Sequence, residues 1–378
     1  MADQQGLTVV LLAPASSVHT RRWASVLADA GHRIVIASWQ AGPYLPGVQI
    51  RTAPAVRARP ACRVPLAAPW LRRLIAAVRP DVIHVHSLGA HGLLSLALPR
   101  GPARVVTPWG SELRAARHSA ARAAMVRLAL RRADLVLPTS AEVAAELADR
   151  YRVPPARIRV LSWGVPAELI SELPRISAAA VRSEFGVPAD AIVVISIRST
   201  SATYRTREIV SAFAQAAAHR SDLFLIVLAG HRPDRASARR AGDRYLDAVR
   251  AAAAGLADRM LVVDRALSPR QAFGLMCASD IAVSVPLGDQ RSSSVLEAAL
   301  AGCRIILSDI APYQEMVSDG LTADLIAEPI GAALAERLRF ATGSIASRRG
   351  NREFILAHED GAVKIAELER AYRKLRHD

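Results

Sequence analysis

The chain has 378 residues, 51% of them hydrophobic and 22% charged, which is enough apolar material for a large core and excludes a disordered chain; two domains are expected at this length. Three cysteines, Cys62, Cys277 and Cys303, stand far apart with no CxxC or histidine-rich spacing, which argues against a disulfide framework or structural zinc and fits a reducing cytoplasm. The formal charge of +15 invites a nucleic-acid or anionic-membrane partner, yet only two lysines stand against 47 arginines, a pattern that a GC-rich genome also produces, and 4% aromatics leave few stacking platforms for nucleic acid.

Residues 1–6 are polar, and the apolar run Leu7–Ala13 falls far short of the roughly 20 residues that span a bilayer, so no export or transmembrane segment is expected. That run reads as a strand, followed by a helix over Thr20–Ala30 closed by Gly31, then a strand over Arg33–Ser38. The alternation continues with a helix at Leu71–Val78, strands at Val82–His86, Arg104–Thr107 and Leu135–Pro138, a helix at Ser140–Arg150 and a strand at Ile158–Leu161. Periodicity weakens over 166–188 and then restarts with strands at Ala191–Ile197, Leu223–Ala229, Met260–Val263, Ile281–Val285 and Arg304–Leu307, and a helix at Arg207–Ala218. Short apolar strands alternating with helices predict parallel sheets covered on both faces. The expected division is an N-terminal domain over 1–165, a linker over 166–188, a C-terminal domain over 189–345 and a helical segment over 346–378.

Open α/β sheets bind ligands beyond the carboxyl ends of their strands, where backbone N–H groups and helix N-termini collect anions. The segments to inspect are therefore Pro14–Thr20, Ser87–His91, Pro108–Glu112, Arg198–Arg207, Gly230–Arg235 and Pro286–Glu297. The richest is PLGDQRSSSVLEAALAG: Ser292, Ser293 and Ser294 precede an Ala/Leu-rich helix with Glu297 in its first turn, and Asp289 lies eight residues before that glutamate. Free N–H groups, hydroxyls and the helix dipole would suit a diphosphate; an ordinary serine-capped helix has the same pattern. Arg198 ends the strand IVVISIR, and Tyr204, Arg205 and Arg207 follow it. A guanidinium there would hold the developing charge of a phosphate leaving group, whereas elsewhere in so arginine-rich a chain it would be surface solvation.

Taken in order, RRWASVLADAGHRIVIAS, RPDVIHVHS, VVTPWGSEL, ADLVLPTSAEVAAEL, RIRVLSWGV, IVSAFAQA, LFLIVLAG and ASDIAVSVPLGDQRSSSVLEAALAGCRIILSDIAPYQEMVSDG resemble the retaining glycosyltransferases of family 4 over nearly the whole chain. The resemblance implies an α/β chain of GT-B fold, two Rossmann-like doubly wound parallel-sheet domains facing a central cleft. It makes Glu297 the ribose-binding acid and Asp289 the sugar-side acid of the family's E-x7-E element, one methylene shorter here. Ser294, Val295 and Leu296 match the diphosphate cradle, and Arg198 the phosphate-binding arginine. The partner lysine has no counterpart: Tyr204 falls about there, leaving Arg205 or Arg207 as substitutes.

In the N-terminal half, Ser16 to Thr20 replaces the usual glycine-rich loop, with Ser17 as a donor-side contact, and Trp109 replaces a histidine, which leaves a packing role against sugar. Glu112 would bond a hydroxyl of acceptor or donor, or be a solvated helix-start acid, and His91 is a candidate acceptor contact. His84 and His86 share one face of a strand; with no third ligand nearby, packing is favoured over a metal pair. The basic stretch Arg114–Arg132 would lie on an anionic membrane or a phosphorylated lipid acceptor, or be a solvated helix.

The function so implied is metal-independent transfer, with retention, of a sugar (typically a hexose) from a nucleotide diphosphate-sugar donor to an acceptor hydroxyl. The C-terminal domain would hold the donor and the N-terminal domain the acceptor, with no cofactor. The expected partners are that donor and a small-molecule, glycan or lipid-linked acceptor; the location is cytoplasmic, with peripheral contact at the inner membrane face left open. Two alternatives stay open: a nucleotide-sugar epimerase on the same fold, and a non-catalytic binder of nucleotide sugars or polyanions.

Overall fold

The computed structural model describes residues 6–54, 60–230, 236–341 and 346–377. Residues 1–5, positions 231–235 of one inspected loop and the Cys62 side chain lie outside the described residues. The chain forms two compact units, Met1–Trp163 with Gly361–Asp378, and Gly164–Asp360.

In the N-terminal unit, β1 (Thr8–Leu12), β2 (Arg33–Ser38), β3 (Val48–Thr52), β4 (Val82–His86), β5 (Ala103–Thr107) and β6 (Leu135–Val136) make one sheet in the order β3-β2-β1-β4-β5-β6. All its pairings are parallel. In the C-terminal unit, β7 (Ile192–Ser196), β8 (Leu223–Leu228), β9 (Met260–Val263), β10 (Ile281–Ser284), β11 (Arg304–Ser308) and β12 (Asp324–Ile326) make a second parallel sheet, β12-β11-β10-β7-β8-β9. In each sheet the strand order reverses between the first and fourth strands, β1/β4 and β7/β10. Helices leave the sheet in opposite directions there and open a crevice at the strands' carboxyl ends.

The continuous apolar runs are explained by burial on both faces. Along β1 the side chains alternate, with Val10 and Leu12 packing toward Leu71, Leu94 and Leu130, and Val9 and Leu11 toward Trp23, Leu27 and Tyr372. In the second unit Val193 and Ile195 join Phe273 and Leu296 on one face, while Val194 joins Phe213 and Leu334 on the other. Each such side chain contributes about 1.5–3 kcal/mol on leaving water.

The structure departs from the sequence expectation in several places. The edge strands β3 and β12 lack apolar runs, because an edge strand is half exposed; β3 reads VQIRT and is mostly exposed. Ile158 contributes a single bridge to Val136 instead of a strand. The first-domain helix runs from Pro60 to Val78 through Pro65 and Pro69, both exposed. The basic stretch is two helices, Ser111–Arg117 and Ala120–Arg131, separated where Ser119 caps the second.

Segment 166–188, expected as a linker, holds helices Ala167–Glu172 and Ala178–Phe185 packed into the second unit through Leu169, Ile170, Val181 and Phe185. The terminal helical segment is divided. Helix Ala346–His358 stays with the second unit, and Gly361–His377 returns to the first, where Tyr372 donates to or accepts from His84 Nδ1 at 2.6 Å and Glu369 meets His32 Nε2 at 2.5 Å. Among the described residues no helix is long and apolar enough to cross a membrane.

Candidate functional site

At the β7/β10 reversal point the two richest segments of the sequence meet. β7 ends at Ser196, so Arg198 stands two residues beyond it rather than in the strand. β10 ends at Ser284, and the loop behind it feeds the helix Ser293–Ala301, whose apolar residues are buried and whose end is a left-handed Gly302. Arg198 Nη1 donates to Ser292 Oγ at 2.6 Å and to Ser294 Oγ at 2.8 Å; Nη2 donates to Tyr204 OH at 2.9 Å. The guanidinium also lies 4.4 Å from the centre of the Tyr204 ring and 3.1 Å from Asp289 Oδ2. Burial pulls its pKa down, but Asp289 and the two tyrosines outweigh that and raise it, so the charge is permanent.

Ser292 occupies the N-cap position without capping, since its hydroxyl serves Arg198. The helix N-terminus is therefore left open to an anion. Among the described residues Arg198 Nε and Ser293 Oγ are buried without a hydrogen-bond partner, which is the condition in which a ligand's oxygens gain most. Val295 and Leu296 sit in the first turn and bury their side chains, so only their backbone faces the crevice. Glu297 is buried, but it is the fifth helical residue, one past the first turn expected for it, because the helix begins only at Ser293.

Asp289 is held from three sides: by Arg198, by Tyr313 OH at 2.9 Å and by the Gln290 N–H at 2.9 Å. Tyr313, from helix Ala311–Ser318 behind β11, also shares a 2.9 Å hydrogen bond with Ser284 Oγ. Burial, then Asp289, pushes its phenol well above the usual range, so it stays a donor. The sequence reading missed Tyr313 although the signal was present, since it follows the carboxyl end of a strand. Of the two substitute arginines, Arg205 pairs with Glu328 at 2.5 Å and Arg207 is exposed, with its backbone N–H on Tyr245 OH. Neither guanidinium joins the Arg198 group.

In the N-terminal unit the β1/β4 point gathers a different set. Ser17 caps helix Val18–Asp29 through the Thr20 N–H at 3.5 Å, and Thr20 Oγ1 meets His86 Nδ1 at 3.2 Å. His19 stacks on Trp163 at 4.7 Å, Trp23 lies 4.3 Å from Trp163, and Trp109 and His86 complete the cluster at 6.4 and 5.6 Å from the same ring. Glu112 ties the loops behind β4 and β5 together, its Oε1 accepting from the Leu88 N–H at 2.9 Å and the Trp109 N–H at 2.7 Å.

His91 lies in the helix Ala90–Ser95 rather than in a loop, and is buried. Burial lowers its pKa to about 4; burial, His19 and His91 lower that of His86 to about 3, so both are neutral at pH 7. Among the described residues His86 Nε2, His91 Nε2 and Trp109 Nε1 are buried without partners. His84 uses both ring nitrogens, on Tyr372 and on Thr107 Oγ1 at 2.7 Å. Trp23 and Trp163 gave no signal in sequence, because only the fold brings residues from helix, strand and distal loop together.

Residues 16–169 match the model of Glycosyltransferase Family 4. A comparison with curated proteins finds no match. Among solved structures, a sucrose-phosphate synthase from Thermosynechococcus elongatus has a TM-score of 0.81 at 18% identity, covering 98% of this chain and 99% of that one. A UDP-forming trehalose-phosphate synthase from Burkholderia vietnamiensis has a TM-score of 0.77 at 13% identity, with 98% of both chains covered. HepE from Anabaena, in complex with UDP and glucose, has 0.75 at 16%, covering 97% and 100%. The two six-stranded parallel sheets with this likeness are the GT-B fold. The chain therefore has the GT-B fold, and its residues 16–169 are similar to Glycosyltransferase Family 4, in line with the sequence resemblance.

Proposed function

We propose that the protein transfers a sugar with retention of configuration, and without a metal, from a nucleotide diphosphate donor bound by the C-terminal unit to an acceptor hydroxyl bound by the N-terminal unit. The observation that supports it most is Arg198 resting on the hydroxyls of Ser292 and Ser294 at an uncapped helix N-terminus. A donor diphosphate would replace those hydroxyls as the partner of the guanidinium and of the open N–H groups. HepE was solved with UDP and with UDP-glucose, which supports a nucleotide-sugar donor here.

In the step proposed, the bond from the anomeric carbon to the phosphate oxygen breaks as the acceptor oxygen bonds the same face of that carbon, and the acceptor proton passes to the departing phosphate. The charge growing on the phosphate meets Arg198 and the helix N-terminus, already in position, so catalysis is mostly placement and leaving-group electrostatics. Glu297 would hold the ribose and Asp289 the sugar hydroxyls. His91, Trp109 and Glu112 are the acceptor-side candidates, with Ser17 on the donor side.

The test is a panel of nucleotide diphosphate sugars with simple acceptors, following nucleotide release and product anomeric configuration by NMR, with and without chelator. Nucleotide release with a retained anomeric centre, unaffected by chelator, is expected. An inverted product or chelator sensitivity overturns the mechanism, an altered sugar formed without acceptor indicates an epimerase, and binding without turnover indicates a binding protein.

A further inference from the structure

At the other end of the N-terminal sheet, by the amino ends of β5 and β6, a cavity of about 620 Å³ is lined by Arg72, Arg100, Arg104, Arg131, Arg132 and Arg157, with Asp134 as its only acid. That carboxylate is already engaged, accepting the Arg104 backbone N–H at 2.8 Å. Three of the guanidiniums are fixed by carbonyl oxygens of one loop: Arg72 on Ala97 at 3.0 Å, Arg104 on Leu98 at 3.1 Å and on Pro99, and Arg132 on Leu96. Only Arg104 of the six is buried; the other five are exposed, and among the described residues none of the six makes an ion pair with a carboxylate.

Elsewhere in the chain some arginines find acids, as Arg117 does Glu146, Arg182 Asp280 and Arg304 Asp324, and others among the described residues stand singly on the surface, as Arg33, Arg79 and Arg152 do. Coding bias explains the number of arginines but not the convergence of six of them on one hollow with a single acid. Burial, Arg132 and Arg100 pull the Arg104 guanidinium below its ordinary value, and Asp134 offsets part of this. Like charges held this close repel unless an anion lies among them.

We propose that this cavity is a binding site for a small ligand bearing more than one phosphoryl charge, separate from the donor site and independent of the transfer reaction. Guanidinium forks match phosphate oxygens in pairs, and Arg104, buried and held by two carbonyls, with Arg72 and Arg132 each tethered by one, lowers the ordering needed on binding. The volume lies in the range of about 300–1,000 Å³ typical of small-molecule sites and exceeds what one phosphate fills. Among the described residues no aromatic side chain lines it, so single-stranded bases would find nothing to stack on. A soluble polyphosphate or sugar phosphate and the headgroup of an anionic lipid offer the same chemistry.

The experiment titrates the full chain with tripolyphosphate by calorimetry, and separately with phosphatidylcholine vesicles with and without phosphatidic acid. The variants are R100Q/R131Q/R157Q, the charge-conserving R100K/R131K/R157K, and Arg198→Ala, which removes the donor-side anion contact. Among the described residues the side chains of the three rim arginines make no hydrogen bond, so the fold should persist, as thermal melting verifies. The expected result is binding of at least one probe that weakens about tenfold or more in the glutamine variant, stays within about threefold in the lysine variant and survives Arg198→Ala. Its salt dependence should flatten in the glutamine variant. Binding of tripolyphosphate identifies a soluble ligand; binding only to phosphatidic acid vesicles identifies the headgroup. The proposal is overturned if wild type binds neither probe, if the glutamine variant binds as wild type does, or if Arg198→Ala alone abolishes binding.

Discussion

Asp289 and Arg198 form an ion pair of 3.1 Å with both side chains mostly buried, and Tyr313 bonds the same carboxylate from the other side at 2.9 Å. The acid expected to reach the donor sugar therefore also orients the arginine expected to hold the leaving phosphate. An aspartate, one methylene shorter than the family's glutamate, keeps its carboxylate close to Arg198.

Arg198→Ala should lower turnover about a hundredfold, since loss of one pre-placed charge contact to the leaving group is worth about 3 kcal/mol. The change leaves the mostly buried Asp289 carboxylate with only Tyr313 and the Gln290 N–H, so the melting temperature should fall, and turnover is compared at a temperature where thermal melting shows the variant folded. Near wild-type turnover in this variant would make Arg198 a structural clamp on the two serines.

The two acids should separate in binding and transfer. Glu297→Gln should weaken free nucleotide diphosphate and whole donor alike, by about 1.5–3 kcal/mol for a lost charge-assisted hydrogen bond. Asp289→Asn removes the carboxylate competing for Arg198, so free-nucleotide affinity should stay level or tighten while transfer from the intact donor falls. Calorimetry with nucleotide and a transfer assay decide between them. If Asp289→Asn loses nucleotide binding as badly as Glu297→Gln, the two roles are wrongly assigned.

Arg291 is a buried structural cation, with Nε 2.7 Å from Glu359 Oε1 and Nη1 2.6 Å from Asp319 Oδ2. Arg291→Met should destabilise the C-terminal unit by about 3–5 kcal/mol because it takes the paired guanidinium away from the buried Glu359 carboxylate. Arg291→Met with Glu359→Leu should recover much of that loss in urea denaturation. A double variant no better than the single one would show that the methionine fails to pack.

Acid stability should report the buried histidines. His91 titrates at about 4 in the folded protein, against 6.5 as its ordinary value, because it is buried, so below 6.5 the unfolded chain binds the extra proton. The contribution is therefore complete above pH 6.5 and is lost as pH falls toward 4, with a slope up to about 1.4 kcal/mol per pH unit. His86, lowered to about 3, acts in the same direction over a wider window. The urea midpoint of wild type should fall more steeply between pH 6.5 and 4 than that of His91→Gln. Parallel profiles would assign the acid limb to other groups.

Sequence by itself determined the two parallel sheets, because strands buried on both faces are continuously apolar, and short runs such as LTVVLLA and LFLIVL, bounded by turn residues and alternating with helical patterns, fit that use. It also located Arg198, Asp289 and Ser292–Ser294, since ligands of such sheets lie just beyond strand ends. Only the tertiary structure decided that these residues meet, because β7 and β10 are neighbours in space with two strands between them in sequence. It likewise placed Tyr313 on Asp289, returned helix Gly361–His377 to the first unit and gathered Trp23, Trp109 and Trp163 around His86. The physical reason is the same in each case. Periodicity records which face of an element is buried, whereas long-range contacts depend on the order in which elements pack, and a single chain's local pattern does not contain that order.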